Sequence, residues 1–568
     1  MLKVTILDGY IDEPSCLGVP PYISPYPRYI AGAIWDFDNK ANICYLTIDQ
    51  FRKNPKIIEE IDKSDIFVAI AGMSVPGRYL SGYPASPNEI INIAKDLKKP
   101  IKILSGPAAK HGFGVSGGKK TREISFEIDI FDLIIKGDAE IVIRNLLDNR
   151  LKQTDPELKR KNANEIRNYA IKGADIVKEH PNFPDYLITE IESYRGCPRT
   201  IVGGCSFCSE PSKGLPDFRQ IKDIIDEIDT LYKNGIRNFR IGNQPCIFSY
   251  MAKDAGKKEF PRPNPEAIEK LFSSIRKIVP NPSTLHIDNA NPGIIARYQN
   301  ECKRIAKTII KYHTSGDVAA FGVESVDPIV IKKNNLKASQ EEVMTAIKLL
   351  NSLGSKRGKN GMPELLPGLN FVFGLLGETK KTYELDYKFL KEINKQNLLI
   401  RRINLRQIIP IPGTKIFDIG SKTLTKNKAY FKRFKRKVKE EIEKPLLKKL
   451  IPSETVIKNV YSEIHKGKLT FARQLGSYPL LVGIPGVKDL KKFYDVKVID
   501  YGYRSITGLV YPLDINKAKR EEIEWIPGIG KKRAIRILAN RPFKNKEELK
   551  NALDDNEILK NLEKFVKI

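Results

Sequence analysis

Cys197, Cys205 and Cys208 are three of the seven cysteines in the chain, and they share the stretch RGCPRTIVGGCSFCSE. Seven residues separate the first two and two residues separate the last two. A loop of that length, containing Gly and Pro, can fold three sulfurs around one inorganic centre, with the thiolate as the ligating form. A structural zinc site would ordinarily add a fourth Cys or a His to complete a tetrahedron. No second cysteine pair exists, and His111, His180, His286, His313 and His465 form no closely spaced pair. A [4Fe–4S] cluster can use that shortage, because three thiolates leave one iron open to a small molecule. The loop therefore favours an iron–sulfur cluster over zinc while leaving both on the table. Cys16, Cys44, Cys246 and Cys302 are scattered, as free thiols in a reducing compartment would be.

The loop needs a scaffold, and 568 residues suffice for about three to five folding units. Apolar β-rich runs alternate with helical stretches over residues 1–150: KVTILDGY, NICYLTID, DIFVAIAG, IKILSGP and DLIIKGD. That alternation predicts a parallel, doubly wound α/β sheet of Rossmann-like or flavodoxin-like type. Its Gly-rich segment, SGPAAKHGFGVSGGKK, lacks a Gly-x-Gly-x-x-Gly opening a helix after the first strand, so a dinucleotide site has no support. Residues 151–182 are polar with little apolar periodicity and read as a connector. From 183 to 420 six further strand–helix alternations predict a partial (βα)6 barrel, whose working residues belong at strand C-termini. The cysteine loop follows the first of these strands. Residues 421–465, with FKRFKRKVK, read as a basic helical segment. Short β runs over 466–515 predict a small antiparallel β-barrel. Residues 516–568 carry a helix, a Gly turn at Pro527–Gly530 and a second helix.

Composition narrows the partners. With 41% hydrophobic and 29% charged residues the chain is globular, and its net charge of +29 makes polyanions the first partners to consider. A Lys-rich habit of heat-adapted proteins is the alternative, although that habit usually raises Glu alongside Lys. No run approaches the roughly 18–20 apolar residues that span a bilayer, and the start lacks a signal-peptide pattern, so a cytoplasmic protein without a membrane partner is expected.

The cysteine loop resembles that of radical S-adenosylmethionine (SAM) enzymes, in which the last Cys pair flanks a small residue and an aromatic, here Ser206 and Phe207. The resemblance implies a [4Fe–4S] cluster on Cys197, Cys205 and Cys208, with SAM bound through its amino and carboxylate groups to the open iron. It further implies that an electron, from a donor such as ferredoxin or flavodoxin, cleaves SAM to methionine and a 5′-deoxyadenosyl radical that takes hydrogen from substrate. The commonest pattern in that superfamily has three residues between the first two cysteines, where this loop has seven. Gly242, Asn243 and Gln244 lie where the superfamily has Gly-Gly-Glu contacting the SAM amino group. The segment Gly322–Asp327, with Glu324 and Ser325, resembles the fourth-strand residues that face the SAM ribose and carboxylate. Gly374 to Thr379, with Gly374 and Glu378, resembles the fifth-strand turn near adenine, and Pro410–Thr414 the sixth-strand ending.

The flanks add further resemblances. The first domain, in placement and in Lys136-Gly137-Asp138-Ala139-Glu140 at its exit, is similar to cobalamin-binding domains that precede many radical SAM cores. The Asp-x-His-x-x-Gly lower-ligand motif is absent, so only cobalamin bound without a histidine ligand is compatible. The C-terminal segment Ile523–Ala534 resembles the helix-hairpin-helix motif of non-sequence-specific nucleic-acid binders. In such a motif Gly528 and Gly530 admit a phosphate close to the backbone, and Lys531, Lys532 and Arg533 add charge. The preceding β segment is reminiscent of the small barrel that carries tRNA in methylthiotransferases. Together these imply modification of structured RNA, tRNA foremost. The alternatives are a radical SAM methylase or mutase, with or without cobalamin, acting on a protein or small metabolite, and a zinc-bearing nucleic-acid-binding protein without catalysis.

Overall fold

The computed structural model describes all residues except 14–15, 74–79, 81, 115–116, 123–127, 420–421 and 554. In the first sheet, β-branched runs such as Ile66–Ile70 are buried on both faces, which requires helices on both sides and parallel strands. The strands Lys3–Asp8, Asn42–Thr47, Ile66–Ile70, Ile101–Ser105 and Leu133–Ile134 are all parallel. In space the second stands outside the first, and the third, fourth and fifth follow on its other side. That order is the flavodoxin-like variant of the doubly wound fold.

The first 150 residues also contribute to the second sheet, because Tyr22–Ile23 pairs in parallel with Ile188–Glu192. The segment read as a connector is folded: Ala163–Ile166, Arg167–Lys172 and Gly173–Glu179 are successive helical turns. They pack on the helix Pro25–Phe37 at backbone contact, where a Cβ on Gly32 would sit 1.9 Å from the Tyr169 carbonyl oxygen and one on Gly173 1.7 Å from that of Arg28. The contact face is built of Ala170, Gly173 and Ala174, and such small residues leave little apolar periodicity in the sequence.

Six parallel strands form the partial barrel: Ile188–Glu192, Asn238–Gly242, a third in two pieces, Asp317–Glu324, Leu365–Phe373 and Arg402–Gln407. The third breaks at Asp288, so that Thr284–Ile287 pairs with the second strand and Asn289–Ala290 with the fourth.

The basic helix Lys422–Val438 buries Asn427, Phe431, Phe434 and Val438, a stripe at helical spacing, and the rings of Phe431 and Phe434 lie within 5.2 Å of Phe373. It continues through a π turn, Lys439–Glu443, into Lys444–Leu450. Pro445, which has no N–H to give to the preceding turn, accounts for the loosened ladder. The expectation of helix throughout 421–465 fails at its end, where Val456–Lys466 is a strand. Its apolar residues Ile457 and Val460 are separated by charge and by a bulge that breaks the period-2 pattern.

That strand opens a closed five-stranded barrel, continued by Leu469–Gln474, Leu480–Pro485, Phe493–Tyr501 and Ser505–Val510. The barrel is not wholly antiparallel as expected, since the third and fifth strands pair in parallel. The spatial order first, second, third, fifth, fourth is that of an OB-fold. The tail forms two helical hairpins, Arg520–Glu524 with Lys531–Ala539 and Lys546–Asn551 with Asn556–Glu563. Among the described residues no helix is long and apolar enough to cross a membrane.

The OB-like barrel also shuts the open seam of the larger one. Its loop after Gln474 enters between the first-strand side, where Tyr22 donates to the Gly476 carbonyl at 2.9 Å, and the sixth-strand side, where Arg401 donates to that of Tyr478 at 2.8 Å. Inside, the Ser477 N–H donates to His286 Nδ1 at 2.8 Å and the Tyr478 hydroxyl to Asp288 at 3.2 Å.

Candidate functional site

The cysteine loop leaves the first barrel strand and is tied down at both ends. The Cys197 N–H donates to the Gly214 carbonyl at 3.0 Å, and the Gly196 N–H to Glu210 at 3.1 Å. Its middle is latched to residues 334–335, beyond the fourth strand. Asn335 donates to the carbonyls of Val202 and Gly204 at 3.0 and 2.8 Å, and Ser206 pairs with Asn334 through both backbone and side chain. Asn334 in turn bridges to the fifth-strand turn, accepting from the Leu376 N–H at 3.2 Å and donating to its carbonyl at 2.9 Å. Three polar side chains, the buried Ser206 and Asn334 and the partly buried Asn335, thus connect the cysteines to the turns of two distant strands.

Among the described residues no trio of His, Cys, Asp and Glu is gathered as tightly as a single metal ion requires. The sulfurs nevertheless lie close enough for Cys205 to raise the pKa of both Cys197 and Cys208 through space, and for Cys197 to raise that of Cys208. Burial is the larger cause, pushing Cys197 up to about 11 and raising Cys205 and Cys208 as well. Three partly buried thiolates in so desolvated a loop need positive charge, which a cluster's iron supplies. The chain adds some of its own: Arg199 Nη1 donates to Cys205 Sγ at 2.9 Å, and the Glu210 N–H to Cys208 Sγ at 3.4 Å. Hydrogen bonds of this kind to ligating sulfur tune an iron–sulfur centre. The donor set fits a cluster with one open iron, held by Cys197, Cys205 and Cys208. When bound, that cluster supplies an electron and a coordination site for SAM.

Of the residues expected around SAM, Glu324 is the best placed. A bulge between Gly322 and Glu324 ends the fourth strand, and Glu324 adopts φ 59°, a costly conformation for a side chain of this type. Its Oε1 receives Lys337 Nζ at 3.2 Å while its buried Oε2 has no hydrogen-bond partner. Burial disfavours the Lys337 charge, but Glu324 and the sulfurs of Cys205 and Cys208 more than offset that and raise its pKa. A Cβ on Gly322 would lie 2.2 Å from Lys337 Nζ and 2.3 Å from Glu324 Oε1, so a side chain there would displace the pair from its place beside the cysteines. An orphaned carboxylate oxygen at this position suits an ammonium or hydroxyl donor such as SAM carries.

The other expected residues face elsewhere. Ser325 donates to Asp386 at 3.1 Å, fastening the strand end to the following helix layer. Gly242 lies against Glu190, and the Asn243 N–H donates to the same carboxylate at 3.1 Å. Asn243 also donates from its side chain to Glu192 at 2.8 Å, while the buried Gln244 Oε1 has no partner. The Gly374 N–H donates to Glu378 at 2.6 Å, and Glu378 also receives Tyr383, so it fixes its own turn. Phe207 packs partly buried against the cluster of Leu375, Ile408 and Ile416, joining the cysteine loop to the fifth and sixth strand ends. In the tail, Gly528 (φ 87°), Gly530, Lys531 and Lys532 are exposed at the hairpin turn, and Arg533 donates to the Gly528 carbonyl at 3.2 Å. Sequence reasoning missed Arg199, Asn334, Asn335 and Lys337. The Asn-Asn pair was a turn signal, but nothing in the sequence linked that turn to the cysteines.

The first domain reaches the same rim. The Gly118 N–H donates to the Ile408 carbonyl at 2.7 Å, the Thr121 N–H to that of Pro410 at 3.2 Å, and Lys120 Nζ lies 4.3 Å from the Phe417 ring. His111, at the end of the short helix after the fourth strand of that domain, is held neutral by burial, its pKa lowered to about 4.

Comparison with known proteins agrees with this geometry. Residues 191–390 match the radical SAM superfamily. The chain is 50% identical over 514 residues to an uncharacterized protein of Methanocaldococcus jannaschii, covering 89% of this chain and 93% of that one. It is 42% identical over 551 residues to an uncharacterized protein of Archaeoglobus fulgidus, covering 96% and 97%. Among solved structures it is similar to the radical S-adenosylmethionine methyltransferase TsrM from Kitasatospora setae, with 12% identity, a TM-score of 0.48, and 73% and 75% of the two chains covered. The three-cysteine loop, the strand ends latched to it and the match over residues 191–390 identify this chain as a member of the radical SAM superfamily.

Proposed function

We propose that this chain is a radical SAM enzyme that modifies a nucleoside in structured RNA, tRNA foremost, using an electron from a ferredoxin or flavodoxin. The observation that carries the reading is the OB-like barrel, a fold whose surfaces commonly hold nucleic acid, fastened into the seam of the catalytic barrel by Ser477 and Tyr478. The exposed cationic turn of the C-terminal hairpin supports the same reading. RNA gripped through its phosphates can present one extruded base to a barrel mouth. The test is nucleoside mass spectrometry on digested RNA from a deletion strain. Loss of one modified nucleoside is expected, and an unchanged profile would overturn the reading.

A second reading, a cobalamin-assisted radical SAM methylase of a protein or small metabolite, draws on the flavodoxin-like domain meeting the barrel rim through Gly118 and Thr121. Cobalamin retained through purification, without affinity for RNA, would favour it.

A further inference from the structure

The helix Lys422–Val438 presents a strongly basic surface that the proposed chemistry does not use. Along the helix Lys422–Val438 and its π extension, Lys428, Lys432, Lys435, Arg436 and Lys439 are exposed at spacings of four, three, one and three residues, a single helical face. Among the described residues, none of Lys428, Lys432, Lys435 and Arg436 makes an ion pair. This face forms one wall of a groove of about 430 Å³. Gln407, the last residue of the sixth barrel strand, and Tyr503, in the loop between the last two strands of the OB-like barrel, also line it. Glu440 is the one carboxylate in the lining, set against five cations.

The groove is held open by its own anchors. Arg504 forms an ion pair with Glu443 in the π turn and donates to the Ile403 carbonyl at 2.7 Å, which fixes the Tyr503 loop against the sixth strand. Tyr503 itself remains 41% exposed, with Lys439 Nζ 4.2 Å from its ring centroid. An exposed ring flanked by cations on a track of unpaired Lys and Arg has the chemistry of a single-stranded nucleic-acid site, in which phosphates meet cations and a base stacks on the aromatic. A groove of about 430 Å³ has space for a strand end or a flipped nucleotide.

We infer that this groove guides a single-stranded segment of the RNA to the barrel, with Lys428, Lys432, Lys435 and Arg436 on its phosphates and Tyr503 beneath one base. This rests on the RNA reading above and deepens it by naming the segment that must be unpaired.

The experiment uses the full chain, reconstituted anaerobically, and fluorescence anisotropy with two probes, total deproteinised tRNA and a twelve-nucleotide oligouridylate, over a range of salt. The variants are the quadruple Lys428→Gln/Lys432→Gln/Lys435→Gln/Arg436→Gln, the single Tyr503→Ala and Tyr503→Phe, and a hairpin control, Lys531→Gln/Lys532→Gln. The quadruple variant is expected to lower the slope of log affinity against log salt by about 3, at roughly 0.7 per single-strand phosphate contact. Tyr503→Ala should weaken oligouridylate binding about five-fold or more while Tyr503→Phe retains it. Parent-like affinity and slope in the quadruple variant, with Tyr503→Ala also silent and the hairpin control impaired, overturns the groove alone. Failure of the parent chain to bind either probe at low salt overturns the RNA reading itself.

Discussion

The cations of this protein fall into two regions that obey opposite rules. In the interior Arg28, Arg219 and Arg240 have side chains at most 1% accessible, and each meets a carboxylate: Arg28 and Arg219 share Glu227, and Arg240 lies between Glu190 and Asp288. On the helix Lys422–Val438 the cations are exposed and their carboxylate partners are missing among the described residues. Buried charge is costly unless it is paired or hydrogen-bonded, whereas exposed charge remains free to meet a partner from solution. The excess that the composition reports is therefore carried on surfaces, and the interior arginines belong to the scaffold. Lys337 and Glu324 stand between the two cases, paired on one oxygen and open on the other.

Breaking the interior pairing should have the largest effect. Arg240→Ala leaves Glu190, which burial already pushes up to about 7, and Asp288 without their cation. A loss of about 3–5 kcal/mol in urea unfolding is expected, and a loss below about 1 kcal/mol would show that the network is dispensable.

The next test concerns a buried acid that has no cation. Asp386 accepts from the Val326 N–H at 2.8 Å and from Ser325, and burial raises its pKa to about 8. The unfolded carboxylate ionises near the ordinary value of about 3.9. Between those two values the folded state holds the proton and the unfolded state releases it, so this group's contribution to stability is complete at low pH and is lost as pH rises toward 8. Asp386→Asn mimics the protonated acid. Its stability relative to the parent should therefore grow from pH 5 to pH 8 in paired denaturant titrations, and a pH-independent difference would refute the assignment.

Glu324→Gln sharpens the intermediate case. Iron loading should match the parent, since Glu324 is not a sulfur ligand, while SAM binding should weaken about ten-fold or more, the cost of a lost charge-assisted hydrogen bond. Equilibrium binding of SAM measures it, and parent-like affinity would remove Glu324 from the cofactor site. Smallest of all should be the effect of Lys432→Gln on folding, within about 0.5 kcal/mol, as for exposed positions without partners. A larger loss would mean the basic helix is structural.

The fold was legible in the sequence wherever burial imposed a strong pattern. The β-branched runs marked the parallel strands of both sheets, and the order of motifs after the cysteine loop matched the order of strand ends. It was illegible where contact faces were made of Ala and Gly, as at Gly173 and Ala174, or where charge and a bulge obscured alternation, as in Val456–Lys466. Within the site, the cysteines announced themselves through residue type and spacing. Asn334 and Lys337 did not, because ordinary polar residues acquire such roles only when folding brings positions more than a hundred residues apart to the same sulfur loop, and Arg199, six residues from Cys205 within that loop, carries no spacing signal that marks it as a sulfur donor.

The most direct measurement is iron, sulfide and SAM-cleavage analysis of protein purified and reconstituted without oxygen. About four irons and four sulfides per chain are expected, with SAM cleaved on reduction and all three properties lost in Cys205→Ala/Cys208→Ala. Iron-free protein carrying one zinc, with SAM left intact, would contradict the account.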